Sequence, residues 1–225
     1  MCGRFVQASP LHTIRHVIPV DVVTCGLERN YNVSPAQNVL AVVYYHGEYR
    51  MGRLFWGFLP DWADKKKQIR PIINARYETL ASKKLFRKSL FSRRCIIPAD
   101  GFYEWKKEKG GKQPWYIYDA SGKPLLFAGL WNGVKRACTD VYRSCAVITV
   151  EAAEPVNNIH SRMPAMLTSE ASKKWLTTET DDADAVRTIL AEGLTHRLNV
   201  HPVSKRVNNP KNNDASCIEP LPENR

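Results

Sequence analysis

Apolar residues recur along this chain in short runs, rich in β-branched and aromatic side chains, rather than in long helical stripes. Such runs occupy residues 39–45, 53–58, 95–98, 115–118, 125–130 and 144–150. Gly47, Gly52, Pro60, Gly110-Gly111, Gly122 and Pro124 punctuate them, and this is the grammar of strands and turns. Residues 106–113 read as a hairpin connection with Gly110-Gly111 at its tip. Helical signals are fewer. Ser9 is placed to open a helix over 10–17 with Pro10 in its first turn. Thr168 is placed to cap a helix over 169–176. Ala185, Val186, Ile189 and Leu190 stand at helical spacing within 182–192, which Gly193 would close. A fourth helix is expected over 79–90. The pattern predicts a single α+β domain over 1–225, β-rich, with a mainly antiparallel sheet curled barrel-like and a few peripheral helices.

Composition fits that picture. Of 225 residues, 44% are hydrophobic and 24% charged, so the chain can bury a substantial core without covalent staples. The six cysteines are Cys2, Cys25, Cys95, Cys138, Cys145 and Cys217. No C-x-x-C pair occurs among them, which argues against a closed zinc site. The start of the chain lacks the apolar core of a secretory leader, and no run approaches a membrane span. The expectation is a cytoplasmic monomer with reduced thiols, no metal, no cofactor and no membrane partner.

Charge adds a direction. Lys plus Arg outnumber Asp plus Glu by 33 to 22, a formal net charge of +11. The excess is spread over 65–70, 83–94, 106–112 and 205–211. A polyanion is one reading, because each neutralised phosphate releases counterions; a basic surface kept for solubility is an equal one. Phe55, Trp56, Phe58 and Trp62 lie just before Lys65-Lys66-Lys67 and Arg70, and cationic grooves with aromatic platforms suit single-stranded nucleic acid. Trp56 is expected in the core and Trp62 at the surface.

The most informative chemistry sits at Cys2. Removal of Met1 would leave a 1,2-aminothiol. Its amine would have a pKa of about 7.7–8.0, and its thiol about 8.5 or lower beside a cation such as Arg4. The amine can condense with an aldehyde, and the thiolate can then close on the imine to a five-membered thiazolidine. The plain alternative is a small buried residue on a first strand. Three further groups stand out. Asn74 and Arg76 fall on one side of an extended segment. Glu104 lies among Phe102, Tyr103 and Trp105, where desolvation favours its neutral form; pairing with Lys106 or Lys107 is the alternative. His160 precedes Arg162 and Pro164, although a lone histidine is more often structural than catalytic.

Seven stretches together resemble the SOS-response-associated peptidase family of abasic-site-processing proteins. They are residues 1–5 (MCGRF), 31–35 (YNVSP), 56–62 (WGFLPDW), 73–79 (INARYET), 94–106 (RCIIPADGFYEWK), 159–164 (IHSRMP) and 208–213 (NNPKNN). The resemblance implies a β-rich α+β fold with a concave DNA surface. It implies that Cys2 is the nucleophile that links to the opened aldehyde of an abasic site in single-stranded DNA. Asn74 would hold the N-terminal cysteine and the sugar. Glu104 would serve as acid and base, and His160 would help to open the deoxyribose. Arg4, Arg76 and Arg162 would grip flanking phosphates, and Pro35 and Trp62 would wedge or stack beside the strand. The chain departs from the family pattern at Ala63, where some relatives carry a second aromatic, and at Ser161, where an aspartate is common. Two other classes share some of these features. An N-terminal cysteine with its own amine can act as a thiol peptidase or a self-processing hydrolase, and an imine at an abasic site can also promote strand cleavage as a lyase. A noncovalent binder of modified bases would not need Cys2 at all.

Overall fold

The computed structural model describes residues 2–60, 71–136, 140–194 and 197–222, with the side chains of 135, 136 and 140 excepted. Met1, Trp62, Ala63, Lys65-Lys66-Lys67, Arg70 and Cys138 lie outside the described residues. The chain forms β1 (Phe5–Gln7), α1 (Leu11–Arg15), β2 (Val22–Val23), β3 (Asn30–Val33), β4 (Asn38–Tyr45), β5 (Glu48–Trp56) and β6 (Asn74–Arg76). It continues through α2 (Lys84–Ser92), β7 (Arg94–Ala99), β8 (Gly101–Glu108), β9 (Gly111–Asp119), β10 (Leu125–Arg136) and β11 (Asp140–Glu151). The last elements are β12 (Arg162–Pro164), α3 (Ser169–Thr177), α4 (Ala183–Gly193) and β13 (Leu198–Pro202).

The fold is α+β and β-rich. One sheet has the order β13-β9-β8-β1-β3, antiparallel throughout. The larger sheet runs β12-β11-β10-β7-β4-β5-β2. It curls until β5 meets β11 in parallel, at Phe55 opposite Ser144 and Trp56 opposite Cys145. That contact closes a five-stranded ring of β11, β10, β7, β4 and β5, the barrel-like sheet that the pattern predicts. Strand β7 is buried at all of its positions, because the barrel interior covers one face and α2 and α3 cover the other. Cys95-Ile96-Ile97 therefore reads as a continuous apolar run rather than an alternation.

Strand β1 joins the two sheets. Phe5 pairs with Val33 of β3 and with Phe102 of β8. Its ring packs 4.7 Å from Trp56 and 5.9 Å from Phe127, inside the ring of strands. Gln7 is buried and satisfied across the seam. Its amide donates to the carbonyls of Leu40 (2.9 Å) and Pro98 (2.7 Å), and its Oε1 accepts from the Leu40 N–H at 2.9 Å.

The helix ends follow some local signals and depart from others. Thr168 caps α3 by accepting from the Ala171 N–H at 3.2 Å, and Asp182 caps α4 through the Asp184 N–H at 2.8 Å. Ser9 does not cap α1; its hydroxyl and N–H both turn to Asp100, and Pro10 takes the N-cap position without a side-chain bond. The helix expected over 79–90 begins later. Residues Tyr77–Thr79 form a 3-10 turn, and Lys83 is extended before α2 starts. Gly193 is the last residue of α4, not a left-handed cap after it. A Cβ there would sit 2.3 Å from that of Ala171, so the glycine lets α3 and α4 touch. In the hairpin, Glu108 pairs with Gly111, so the turn is Lys109-Gly110, and Gly111 opens the return strand at φ +115°, a value that favours glycine.

Arg94 fastens α2 and α3 to the barrel. Its guanidinium is buried and donates to the carbonyls of Trp175 (2.5 Å), Leu90 (2.8 Å), Phe91 (2.9 Å) and Thr178. Those are the orphan carbonyls of two helix C-termini. Burial pulls its pKa down to about 10, so the charge is kept at neutral pH. Replacing Arg94 with Ala strands these acceptors and should cost about 2–4 kcal/mol. Urea unfolding checks this; an unchanged midpoint would mean that the carbonyls are satisfied without the guanidinium.

Candidate active site

The site grows from the register of β1. Phe5 opposite Phe102, and the Tyr103 N–H donating to the Arg4 carbonyl at 2.9 Å, carry β8 past the start of β1 toward Cys2. Strand alternation puts Glu104 on the face of Phe102, inward, and Tyr103 and Trp105 on the other face. Glu104 is only 3% exposed. Burial pushes its carboxyl up to about 7, against the pull of the positive charge at the amino terminus. Half-protonation near neutrality is what a group that both gives and takes a proton requires. No ion pair of Glu104 with Lys106 or Lys107 is found among the described residues; Lys106 lies over the Trp115 ring instead, at 5.7 Å.

Cys2 is fully buried. The expectation that a cation would lower its thiol pKa is corrected here. Burial, then the charge of Glu104, pushes the thiol far up, and the Arg4 backbone N–H and the amino-terminal charge only partly offset this. The Arg4 guanidinium is turned away. Its Nη1 donates to Asn32 Oδ1 and to the Val207 carbonyl, each at 2.7 Å, and it lies over the Trp105 ring at 5.9 Å.

Strand β6 delivers Asn74. It runs parallel to β11, with Asn74 opposite Val147 and Arg76 opposite Thr149. The Asn74 amide donates to the Cys2 carbonyl at 2.8 Å, and its Oδ1 is buried with no donor among the described residues. Arg76 is exposed two positions on, on the same face.

His160 follows a 3-10 turn, Val156–Asn158, and its N–H is held by the Val156 carbonyl at 2.9 Å. Its Nδ1 lies 3.0 Å from the Arg162 N–H and 3.3 Å from the Arg162 carbonyl. The amide can only donate and is the nearer, so Nδ1 accepts and the neutral ring carries its proton on Nε2. Burial, and then the amino-terminal charge, lower the pKa of His160. That one positive charge acts on Cys2, Glu104 and His160 alike.

The remaining residues take varied positions. Arg162 forms a fork with Glu78, Nη1 to Oε1 at 2.6 Å and Nη2 to Oε2 at 3.0 Å, and Nη2 also reaches the Thr149 carbonyl at 2.6 Å. The guanidinium holds the Glu78 carboxyl below the usual carboxylate range. Pro35 is exposed in the turn between β3 and β4. Trp62 cannot be placed, being outside the described residues. Sequence reasoning missed Glu78, Asn32 and Thr149. Asn32 is fully buried and donates to the carbonyls of Val207, Asn209 and Asn212. It ties Arg4 to the asparagine-rich stretch near residue 210. A polar amide inside a strand, as at 32, was the available signal.

Comparison with known proteins follows the same lines. A family model described as SOS response associated peptidase (SRAP) matches residues 1–210. The abasic site processing protein YoqW of Bacillus subtilis is 39% identical over 222 residues, covering 97% of this chain and 99% of its own. The abasic site processing protein YedK of Escherichia coli is 34% identical over 231 residues, covering 98% and 100%. Among solved structures, a protein from Bacteroides thetaiotaomicron superposes with a TM-score of 0.81 at 21% identity, over 98% of this chain and 100% of that one. A phage-related protein from Bordetella bronchiseptica gives 0.73 at 28% identity, over 91% and 95%.

The raised pKa of Glu104 sets a sign for stability. The folded protein keeps a proton that the unfolded chain releases in the ordinary carboxylate range. The group's contribution is therefore full below that range and is lost as pH rises through about 7. A Glu104→Gln protein should gain on wild type between pH 5 and pH 8, read from urea midpoints at both. Parallel pH profiles for the two proteins would refute a desolvated carboxyl.

Proposed function

Because the chain belongs to the SOS response associated peptidase family, we propose that it captures abasic sites in single-stranded DNA as a covalent thiazolidine, through Cys2 released as the N-terminal residue by removal of Met1. Its relatives YoqW and YedK are abasic site processing proteins. The observation that carries the reading is a carboxyl poised at about 7 beside a buried Cys2 whose carbonyl is held by Asn74.

The chemistry follows from these groups. An abasic deoxyribose is a closed hemiacetal. His160 Nε2–H gives its proton to the ring oxygen and recovers one from the C1 hydroxyl, which opens the sugar to an aldehyde. The neutral amine of Cys2 adds to that carbon, and protonated Glu104 gives its proton as the hydroxyl departs as water. The imine that remains is attacked by the sulfur. That imine carries a proton on nitrogen, so the Glu104 carboxylate takes the thiol proton and is restored as the ring closes. Protein plus sugar lose one water in all. Asn74 Oδ1, a buried acceptor without a donor, fits a hydroxyl of the opened sugar. Arg76 and Arg162 flank it and suit the neighbouring phosphates.

Burial explains why Cys2 should be inert while Met1 is attached. Its thiol is neutral and desolvated, and no free amine adjoins it. Removal of Met1 by the protein itself would be a single peptide hydrolysis, in keeping with the family's name. β-Elimination from the imine, with strand cleavage, competes only until the sulfur closes the ring.

Wild type should form a heat-stable adduct with an oligonucleotide carrying an abasic site, at the summed mass less one water. Cys2→Ala should form none; an adduct of the same mass in that variant overturns the assignment. Glu104→Gln should crosslink about 10²-fold more slowly, measured by quenched-gel time courses. Cys2→Ser keeps the amine, so it should be trapped by borohydride yet give no heat-stable band.

A further inference from the structure

The ring of strands is closed at one point only. Strand β5 meets β11 at Phe55 and Trp56, but at Arg50 and Met51 the same edge of β5 is taken by β2. Between those places β5 and β11 part, and a cavity of about 600 Å³ opens between them. Its floor is apolar, with Ala41, Met51 and Leu54 buried there. Its rim carries Tyr45 and Val141, which are 55% and 39% exposed. Exposed apolar side chains around a concavity of this size mark a ligand site more often than an idle surface.

The lining also carries four arginines, Arg50, Arg53, Arg93 and Arg143, and no carboxylate among the described residues. Glu48 and Glu28 reach Arg50 (3.0 Å) and Arg53 (3.4 Å) from outside the lining. Both pairs are exposed, and such pairs contribute little. Arg143 forms no ion pair among the described residues. It stands opposite Gly133 across the β10–β11 ladder, and the glycine sets no side chain against it there. One wall is the half-buried indole of Trp131, held by the Arg93 guanidinium at 5.9 Å from its centroid.

We propose that this cleft binds a nucleotide, its base against Trp131 and its phosphate at Arg143 on the rim. Guanidinium groups match phosphate with paired donors, and an indole face stacks on any base. An acidic peptide would satisfy the arginines but leave the indole unused. The cleft is separate from the Cys2 site. Arg143 and Val147, the partner of Asn74, are about 13 Å apart along β11. The rings of Phe5, Trp56 and Phe127 fill the barrel between them. The proposal therefore stands whether or not Cys2 crosslinks DNA.

Equilibrium dialysis of the full chain with deoxyadenosine 5′-monophosphate, adenosine, inorganic phosphate and a single-stranded deoxyadenosine octamer tests it. The nucleotide should bind at one equivalent, and adenosine and phosphate should each bind about tenfold or more weakly. Arg143→Glu should weaken nucleotide binding about tenfold or more and leave crosslinking to abasic DNA unchanged. Trp131→Phe should retain binding, and Cys2→Ala should bind as wild type does. Mononucleotide binding that depends on Arg143 identifies a free nucleotide as the ligand. Binding of the octamer alone, again dependent on Arg143, identifies a DNA strand. The proposal falls if neither ligand responds to Arg143→Glu, or if binding disappears in Arg76→Ala.

Discussion

The seating of strand β1 is the constraint on which the rest of the molecule depends. Gln7 is a buried primary amide, and such a group is tolerated only when its donors and acceptor are met. Here they are met by backbone groups of two strands in the other sheet, the carbonyls of Leu40 and Pro98 and the N–H of Leu40. A slip of β1 by one residue would turn Gln7 to the opposite face and orphan all three contacts. The same slip would pull Phe5 from between Trp56 and Phe127. The position of Cys2, three residues before Phe5, is thereby set by interactions that take no part in chemistry. Asn74 and Asn32 then hold what precedes β1, one through the Cys2 carbonyl and the other through the Arg4 guanidinium.

Around that fixed start, charge is arranged by depth. Among the described residues the interior holds one carboxyl, Glu104, which burial drives toward its neutral form. The thiol beside it is driven the same way, because a second negative charge there would meet both desolvation and the first. The amino-terminal charge and a backbone hydrogen bond ease each group in part, through Arg4 at the thiol and Trp105 at the carboxyl. The margin is different. Arg162 is locked to Glu78 by a fork of two hydrogen bonds, so a phosphate that engages it exchanges for a carboxylate rather than filling a vacant site. Such an exchange keeps the guanidinium aligned at all times and makes its net gain small. Arg76, exposed and on the same face as Asn74, forms no ion pair among the described residues, although its charge also helps to hold the Glu78 carboxyl down.

The sequence was most legible where the chemistry is local. Strands β4 and β7 show as β-branched runs, and Thr168 caps its helix as its type suggests. Glu104 was legible because alternation and its aromatic neighbours imply burial. What was hidden depends on long-range pairing. No pattern says that Ser9 serves Asp100 instead of α1, or that Gly193 is demanded by Ala171. Arg4 reads as a free cation, yet its partners are 28 and 203 residues away in sequence. The thiol of Cys2 departs from expectation for the same reason: a nearby arginine in sequence is not a nearby guanidinium in space. Glu78 lay inside a recognised stretch, but only the approach of β12 to β11 brings Arg162 to it.

One long strand divides these roles. The edge of β11 that meets β5 does so at Ser144 and Cys145 only. Beyond that point, at residues 147–149, the same edge accepts β6 and with it Asn74 and Arg76. Before that point, at residues 140–143, no strand among the described residues pairs with it, and the cleft with Arg143 opens. A barrel closed along its full length would have neither feature. Full β5–β11 pairing would extend the ladder into the positions that β6 occupies and would shut the space beside Trp131. The brief closure is enough because Phe5, Trp56 and Phe127 fill the barrel at that level, so packing supplies the cohesion that further ladder bonds would otherwise give. The aromatic plug thus allows the ring to be closed once and left open on both sides, and each opening exposes different chemistry.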